Sequence, residues 1–197
     1  MVERFNSEAK EWDKLDRRVI NAKNIAKVIK ENIALKKDMH IMDFGAGTGL
    51  LSGFLSDSVG QITAVDNSKG MIDEFLKKDF PCKKDALLLD YTKEELSEKF
   101  DGIVSSMTIH HIKDIDALFK KFYLDLKSEG FIAIADLSKE DGTFHSSNEG
   151  VFHFGFYFED LRKKIATFGF KDVKIKSCGY ITKPHKDFEV KCLIAKK

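Results

Sequence analysis

The run Asp43-Phe44-Gly45-Ala46-Gly47-Thr48-Gly49 sets three alternating glycines directly behind an acid. Glycines at such a turn permit positive φ and let a ligand come against bare backbone. A helix starting after Gly49 adds free N–H groups at the same place. The dinucleotide fingerprint is G-x-G-x-x-G, with a helix N-terminus facing a pyrophosphate. Here the spacing is G-x-G-x-G, and position 50 is Leu. The charge of Asp43 would oppose a pyrophosphate, whereas it suits a ligand carrying an ammonium and a sulfonium. The turn therefore favours a sulfonium methyl donor. An NAD(P)-dependent oxidoreductase is the less favoured alternative.

Further acids complete this pattern. Asp66 lies 21 residues after Gly45, a separation that suits a carboxylate bonding two ribose hydroxyls. Its competing role is to cap the next helix, for which Ser68 is the better candidate. Asp90 is placed to accept from an adenine amino group, with Asp85 as its rival, and the Tyr91 backbone N–H is placed to meet the ring. Met71 either packs on adenine or fills the core. Ala46, Asn67 and Ser106 neighbour these positions and are expected cofactor contacts with Asp43, Gly45, Gly47 and Gly49. Trp12 and Phe5 are large aromatics on an otherwise charged stretch, and are expected to fold over the cofactor as a lid.

Methyl transfer from a sulfonium is an in-line displacement in which positioning carries much of the rate. A base is needed only if the acceptor arrives protonated. His110, His111, His145 and His153 are the candidates. The first two follow a strand, and the other two flank Ser146–Gly150, which reads as a mobile loop. Against this, one of two adjacent histidines commonly faces the core, and loop histidines are commonly surface groups. No spacing among these histidines, Glu140 and Asp141 supports a metal, and none is expected. The run Phe152-His153-Phe154-Gly155-Phe156-Tyr157-Phe158 is either an apolar wall over an acceptor or core packing.

These residues need elements to hold them. Apolar positions at 19, 22, 25, 29 and 33 trace a helical stripe. His40 to Phe44 reads as a strand entering the glycines, followed by a helix over Leu50 to Leu55. Strands are expected at Gln61–Val65, Ala86–Leu89, Asp101–Ser105 and Phe131–Leu137. Helices are expected at Lys69–Lys78, Thr92–Lys99 and Ile115–Leu126. A last helix carries Phe158, Leu161, Ile165 and Phe168, with Gly169 as its C-terminal cap. Val173–Lys176 and Val190–Ala195 close the chain as antiparallel neighbours. Alternating strands and helices imply an α/β fold with a mostly parallel sheet covered on both faces.

At these residues the chain resembles the class I S-adenosylmethionine-dependent methyltransferases, over almost its whole length. DFGAGTGLLS is similar to their glycine-rich first motif and AVDNSKGM to the second; FDGIVSSMTIHHIKD and LKSEGFIAIADL resemble the fourth- and fifth-strand segments. The resemblance implies a single-domain Rossmann-like fold, residues 1–197, with a seven-stranded sheet and a reversed last strand. Residues 1–35 form its N-terminal helical lid segment and 36–197 its core. It implies methionine-moiety contacts at Gly45 and Gly47, ribose contacts at Asp66 and adenine contacts near Asp90-Tyr91, with S-adenosylhomocysteine as product. FNSEAKEWD, DLSKEDGTFH and VFHFGF resemble a subgroup acting on small molecules. Ser105-Ser106-Met107-Thr108 stands where many amino-methylating nucleic-acid or protein enzymes carry an Asn-Pro-Pro-Tyr tetrad. A small organic acceptor is therefore expected; a non-catalytic cofactor-binding or assembly protein is the alternative.

Bulk composition narrows the setting. Lys+Arg number 33 and Asp+Glu 32, giving a formal charge of +1 that supplies no drive toward nucleic acid or anionic lipid. Neither is an expected partner. Three dispersed cysteines show no disulfide framework, which suits a reducing cytosol. No run approaches the roughly 18 apolar residues that a spanning helix requires. The N-terminus lacks a signal-peptide core, so a cytoplasmic location is expected.

Overall fold

Residues 2–197 are described by a computed structural model. The chain opens with α1 (Val2–Glu8), a 3-10 turn (Ala9–Lys14) and α2 (Asp16–Asn32). Then follow β1 (His40–Phe44), α3 (Leu50–Leu55), β2 (Gln61–Asp66), α4 (Lys69–Lys77) and β3 (Lys83–Leu88). The second half contains β4 (Phe100–Ser106), α5 (Ile115–Asp125), β5 (Leu126–Leu137), α6 (Phe158–Ala166), β6 (Lys171–Lys183) and β7 (Lys186–Lys196). One seven-stranded sheet runs in the order β3-β2-β1-β4-β5-β7-β6. Its first five members pair in parallel, and β7 is reversed against both β5 and β6.

The alternation of side chains along each strand builds two cores from one sheet. Met42, Phe44, Ile103, Ile132 and Ile134 join Phe119 and Phe122 of α5 and Leu161 and Ile165 of α6. Ile41, Val104, Ala133 and Ala135 join Ile25 and Ile29 of α2 and Leu51 and Leu55 of α3. Both faces are thus buried, which explains the near-continuous apolar runs of the central strands. Each such Ile, Leu or Phe contributes about 1.5–3 kcal/mol through burial.

Two expectations need correction, and a third reading, left open between two alternatives, is decided. Residues 92–99 form turns and bends, not a helix. Tyr91 is the cause: its buried ring packs on Phe44 and Phe122, and its hydroxyl donates to Asp125 at 2.6 Å. Asp90 then ties down Thr92 through both the backbone N–H and the hydroxyl. Leu96 alone follows it toward the core, too little for an apolar helical stripe. Secondly, β6 and β7 are much longer than their apolar centres, and meet at a two-residue turn, Pro184-His185. Most of β6 is an exposed edge, so hydrophobicity did not mark its length. Thirdly, the aromatic run at 152–158 is irregular, with a backbone reversal at Gly155 (φ +65°). Phe156 and Phe158 enter the core while Phe152 stays exposed, so this run is packing and not an acceptor wall.

Candidate active site

From β1 the chain builds outward to β2 and β3, then returns to place β4 on the other side of β1. Such a reversal of order opens a crevice beyond the carboxyl ends of the strands, where ligands of α/β sheets bind. A cavity of about 370 Å³ lies there, lined by the tips of β1, β2 and β4, the N-terminal segment and residues 144–146. That volume falls within the range of small-molecule sites, about 300–1,000 Å³.

Most of the residues expected for the cofactor come from the β1–β3 side. Asp43, Gly45, Ala46, Gly47, Asp66, Asn67, Met71, Asp90, Tyr91 and Ser106 all line the cavity, as does Trp12. Gly47 has φ +55°, and a Cβ built on it would meet only Met71 Sδ, at 3.8 Å, so its bare surface is open. Asp66 accepts from the Gly47 N–H and the Ser68 N–H, both at 2.8 Å. Ser68 itself caps α4 by accepting from Met71, which leaves Asp66 free of the capping role. Asp85 does not border the cavity, whereas Asp90 does. Gly49 also departs from expectation: it sits behind the loop, against Phe75, and contributes no lining. The Tyr91 ring belongs to the core, although the residue borders the cavity.

Asp43 is 1% exposed and receives one side-chain hydrogen bond, from Ser52 at 2.6 Å. Burial, with the nearby Asp66 charge as a lesser cause, pushes its carboxyl up to about 7. Burial raises Asp66 as well. Two desolvated carboxylates side by side are costly without a positive partner. They therefore favour a cationic ligand.

The N-terminal segment covers this side. Asn6 accepts from the Ser68 hydroxyl and the Gly70 N–H, and Asp13 accepts from the Thr48 hydroxyl at 2.5 Å. Phe5 stands edge-on to Trp12 and to His111. The Arg18 guanidinium lies 3.4 Å over the Trp12 ring and pairs with Glu8.

The opposite end is made by histidines. His110 is buried, and its Nδ1 lies 2.7 Å from Asp136, itself fully buried at the end of β5. Asp136 also accepts from the His110 and Leu137 N–H groups. With Nδ1 engaged by Asp136, Nε2 is the ring nitrogen left for another group, and it is buried without a partner among the described residues. His111 Nδ1 meets the Gly150 carbonyl at 2.8 Å. His145 packs 4.9 Å from His110 and 5.6 Å from His111. Burial first, then the neighbouring His110, pushes His111 down to about 4 and His145 to about 3. His153 turns away instead: its Nε2 donates to the Ile112 carbonyl, and it does not border the cavity.

Several lining residues carried no local signal. Arg4, Arg17, Met107, Thr108, Phe144 and Lys183 all border the cavity. Met107 holds φ +58° where β4 ends, an uncommon conformation for a non-glycine residue. The partnership of Asp136 with His110 spans 26 positions and needs the β4–β5 pairing to become visible.

A family model described as a methyltransferase domain matches residues 42–134. The chain is 37% identical over 127 residues to an uncharacterized methyltransferase of Schizosaccharomyces pombe, covering 59% of this chain and 45% of that one. The chain is thus similar to the S-adenosylmethionine-dependent methyltransferases. The ubiquinone biosynthesis O-methyltransferase of Pelagibacter ubique is 31% identical over 157 residues, 70% of this chain and 64% of that one. Among solved structures, a chain in the complex between the Haloferax volcanii Trm112 methyltransferase activator and a putative methyltransferase superposes with a TM-score of 0.78. Identity is 16%, covering 98% of this chain and 96% of that one. The chain spans about half the length of the first curated relatives it matches. Its own residues fit S-adenosylmethionine: an open glycine cradle at Gly47, with the carboxylates of Asp43, Asp66 and Asp90 bordering the same cavity.

Proposed function

We propose that this protein transfers a methyl group from S-adenosylmethionine to a small organic acceptor. The observation that carries the reading is one cavity with two chemistries: a glycine cradle with buried acids at one end, and the His110–Asp136 pair at the other. Bound in the cradle, S-adenosylmethionine supplies a methyl group on a sulfonium, whose carbon–sulfur electron pair stays with sulfur on transfer.

The chain's own residues do the rest. Gly45 and Gly47 hold the methionine moiety, Asp66 the ribose hydroxyls and Asp90 the adenine amino group. Asp43 balances positive charge. Phe5 and Trp12 close the cavity as a lid and keep water out. Asp136 fixes the His110 ring, and Nε2 takes the proton that the acceptor gives up as its new bond forms. His111 and His145, held neutral at physiological pH, shape the acceptor end without adding charge. A cavity of this size supports a small acceptor.

Calorimetric titration with S-adenosylhomocysteine, with NAD as control, tests the reading. Saturable one-site binding of the first alone is the expected result. No binding withdraws the methyltransferase reading, and binding of NAD replaces it.

A further inference from the structure

Charge around the cavity is segregated. Among the described residues, the carboxylates that line it are Asp43, Asp66 and Asp90, all at the ends of the first three strands. The cations that line it are Arg4, Arg17, Arg18 and Lys183. Arg18 is committed, stacked on Trp12 and paired with Glu8. Arg4 shares that same carboxylate. Arg17 has no hydrogen-bond or ion-pair partner among the described residues.

Lys183 comes from the far end of β6 and reaches back to Phe144. Its ammonium donates to the Phe144 carbonyl and lies 4.2 Å over the Phe144 ring. Phe144 in turn packs against His145, at 4.8 Å. Burial lowers the Lys183 ammonium, repulsion from Arg17 and Arg4 adds to this, and Glu140 opposes it. Arg17 and Arg4 therefore lie within electrostatic range of Lys183, and none of the carboxylates that line the cavity stands beside it. A guanidinium pair with an ammonium matches the oxygens of a carboxylate or phosphate, with the guanidinium supplying paired donors.

We infer that the methyl acceptor is a small organic anion, whose carboxylate or phosphate is seated by Arg17, Lys183 and Arg4 while its nucleophilic atom faces His110. This rests on the methyltransferase reading above. A neutral or cationic acceptor would leave Arg17 unpaired and Lys183 held by a carbonyl alone, with Arg4 still sharing the Glu8 carboxylate with Arg18. An anion relieves the repulsion of Lys183 by Arg17 and Arg4 and fixes the acceptor at the end remote from the cofactor's adenine. The same charge attracts the acceptor from solution, an effect that weakens as salt shortens the range to about 8 Å at physiological ionic strength.

The test starts from protein saturated with S-adenosylhomocysteine. It is titrated separately with inorganic phosphate, malonate and neutral malonamide at constant ionic strength, following the backbone amide resonances of Phe144, His145 and Lys183. Saturable shifts with phosphate or with malonate, and none with malonamide, are expected; the anion that binds more tightly identifies the group. Lys183→Met and Arg17→Gln should each weaken that anion at least tenfold and leave S-adenosylhomocysteine affinity within twofold. Arg17 is an exposed helix residue, so its variant keeps the test valid if Lys183→Met folds poorly. Absence of anion shifts in the loaded protein overturns the inference alone. Loss of S-adenosylhomocysteine affinity in either variant, with anion binding intact, also overturns it, because the cations would then serve the cofactor's carboxylate. Failure of wild-type protein to take up S-adenosylhomocysteine overturns the underlying reading, and is seen before any anion is added.

Discussion

The two ends of the cavity are built in different ways. The cofactor end draws most of its residues from positions 43–91, a βαβαβ stretch in which each strand delivers its functional group at its own tip. The proposed acceptor end gathers positions 4, 17, 107, 108, 110–112, 144–146, 181 and 183 from four separate parts of the chain. Recognition of a shared ligand can thus be written in one contiguous motif. Recognition of a particular acceptor is written in loops and termini that only tertiary packing brings together.

If the two ends work independently, variants should separate them. The largest effect is expected for His110→Ala, which removes the proposed base: turnover should fall by about 10²–10⁴. Affinity for S-adenosylhomocysteine, measured calorimetrically, should stay within a factor of two or so of wild type. A matching loss of cofactor affinity would show that the ends are coupled. Asp66→Ala is the mirror case. Removing a charged acceptor of hydrogen bonds should cost about 1.5–3 kcal/mol of S-adenosylhomocysteine affinity. Unchanged affinity would displace the ribose from Asp66.

A smaller effect sharpens the electrostatic side of the comparison. Asp43 titrates at about 7 in the free protein, raised by burial. A cationic ligand favours its ionised form, so binding of S-adenosylmethionine should release a proton below that value. Affinity should rise with pH by up to about tenfold per unit below pH 7 and flatten above it. For folding the sign is opposite. The native protein holds this proton more tightly than the unfolded chain, so the Asp43 contribution to stability declines as pH rises from the ordinary carboxylate range to about 7. In Asp43→Asn both trends should vanish, as affinity and thermal unfolding measured across pH 5–8 would show.

The same division governs what could be read from the sequence. The β1 strand, the glycine turn, Asp66 and the alternation of strands and helices follow from local periodicity and glycine spacing. Ten of the expected cofactor contacts besides Trp12 border the cavity, and Gly49 is the exception because it faces Phe75. Residues 92–99 were misread because a single inward Tyr91, bonded across the core to Asp125, overrode local propensity. Among the histidines, sequence adjacency could not separate His110, backed by Asp136, from His153, turned toward Ile112. Lys183 was invisible for another reason. It reaches the cavity only because β6 continues as an exposed edge strand beyond its apolar centre.

The N-terminal segment walls the cavity without being buried in it. No residue of α1 is buried, and Asn6 and Asp13 fasten it by hydrogen bonds to Ser68, Gly70 and Thr48. Such attachments belong to the weakly held part of a structure, which opens far more often than the core unfolds. At Gly70 the fit is so close that a Cβ would stand 2.8 Å from the Asn6 carbonyl oxygen. Position 70 is thus a latch seat with no room for a methyl group. Any side chain there would wedge the flap ajar, and the dwell time of a spent cofactor would shorten although nothing lining the cavity had changed.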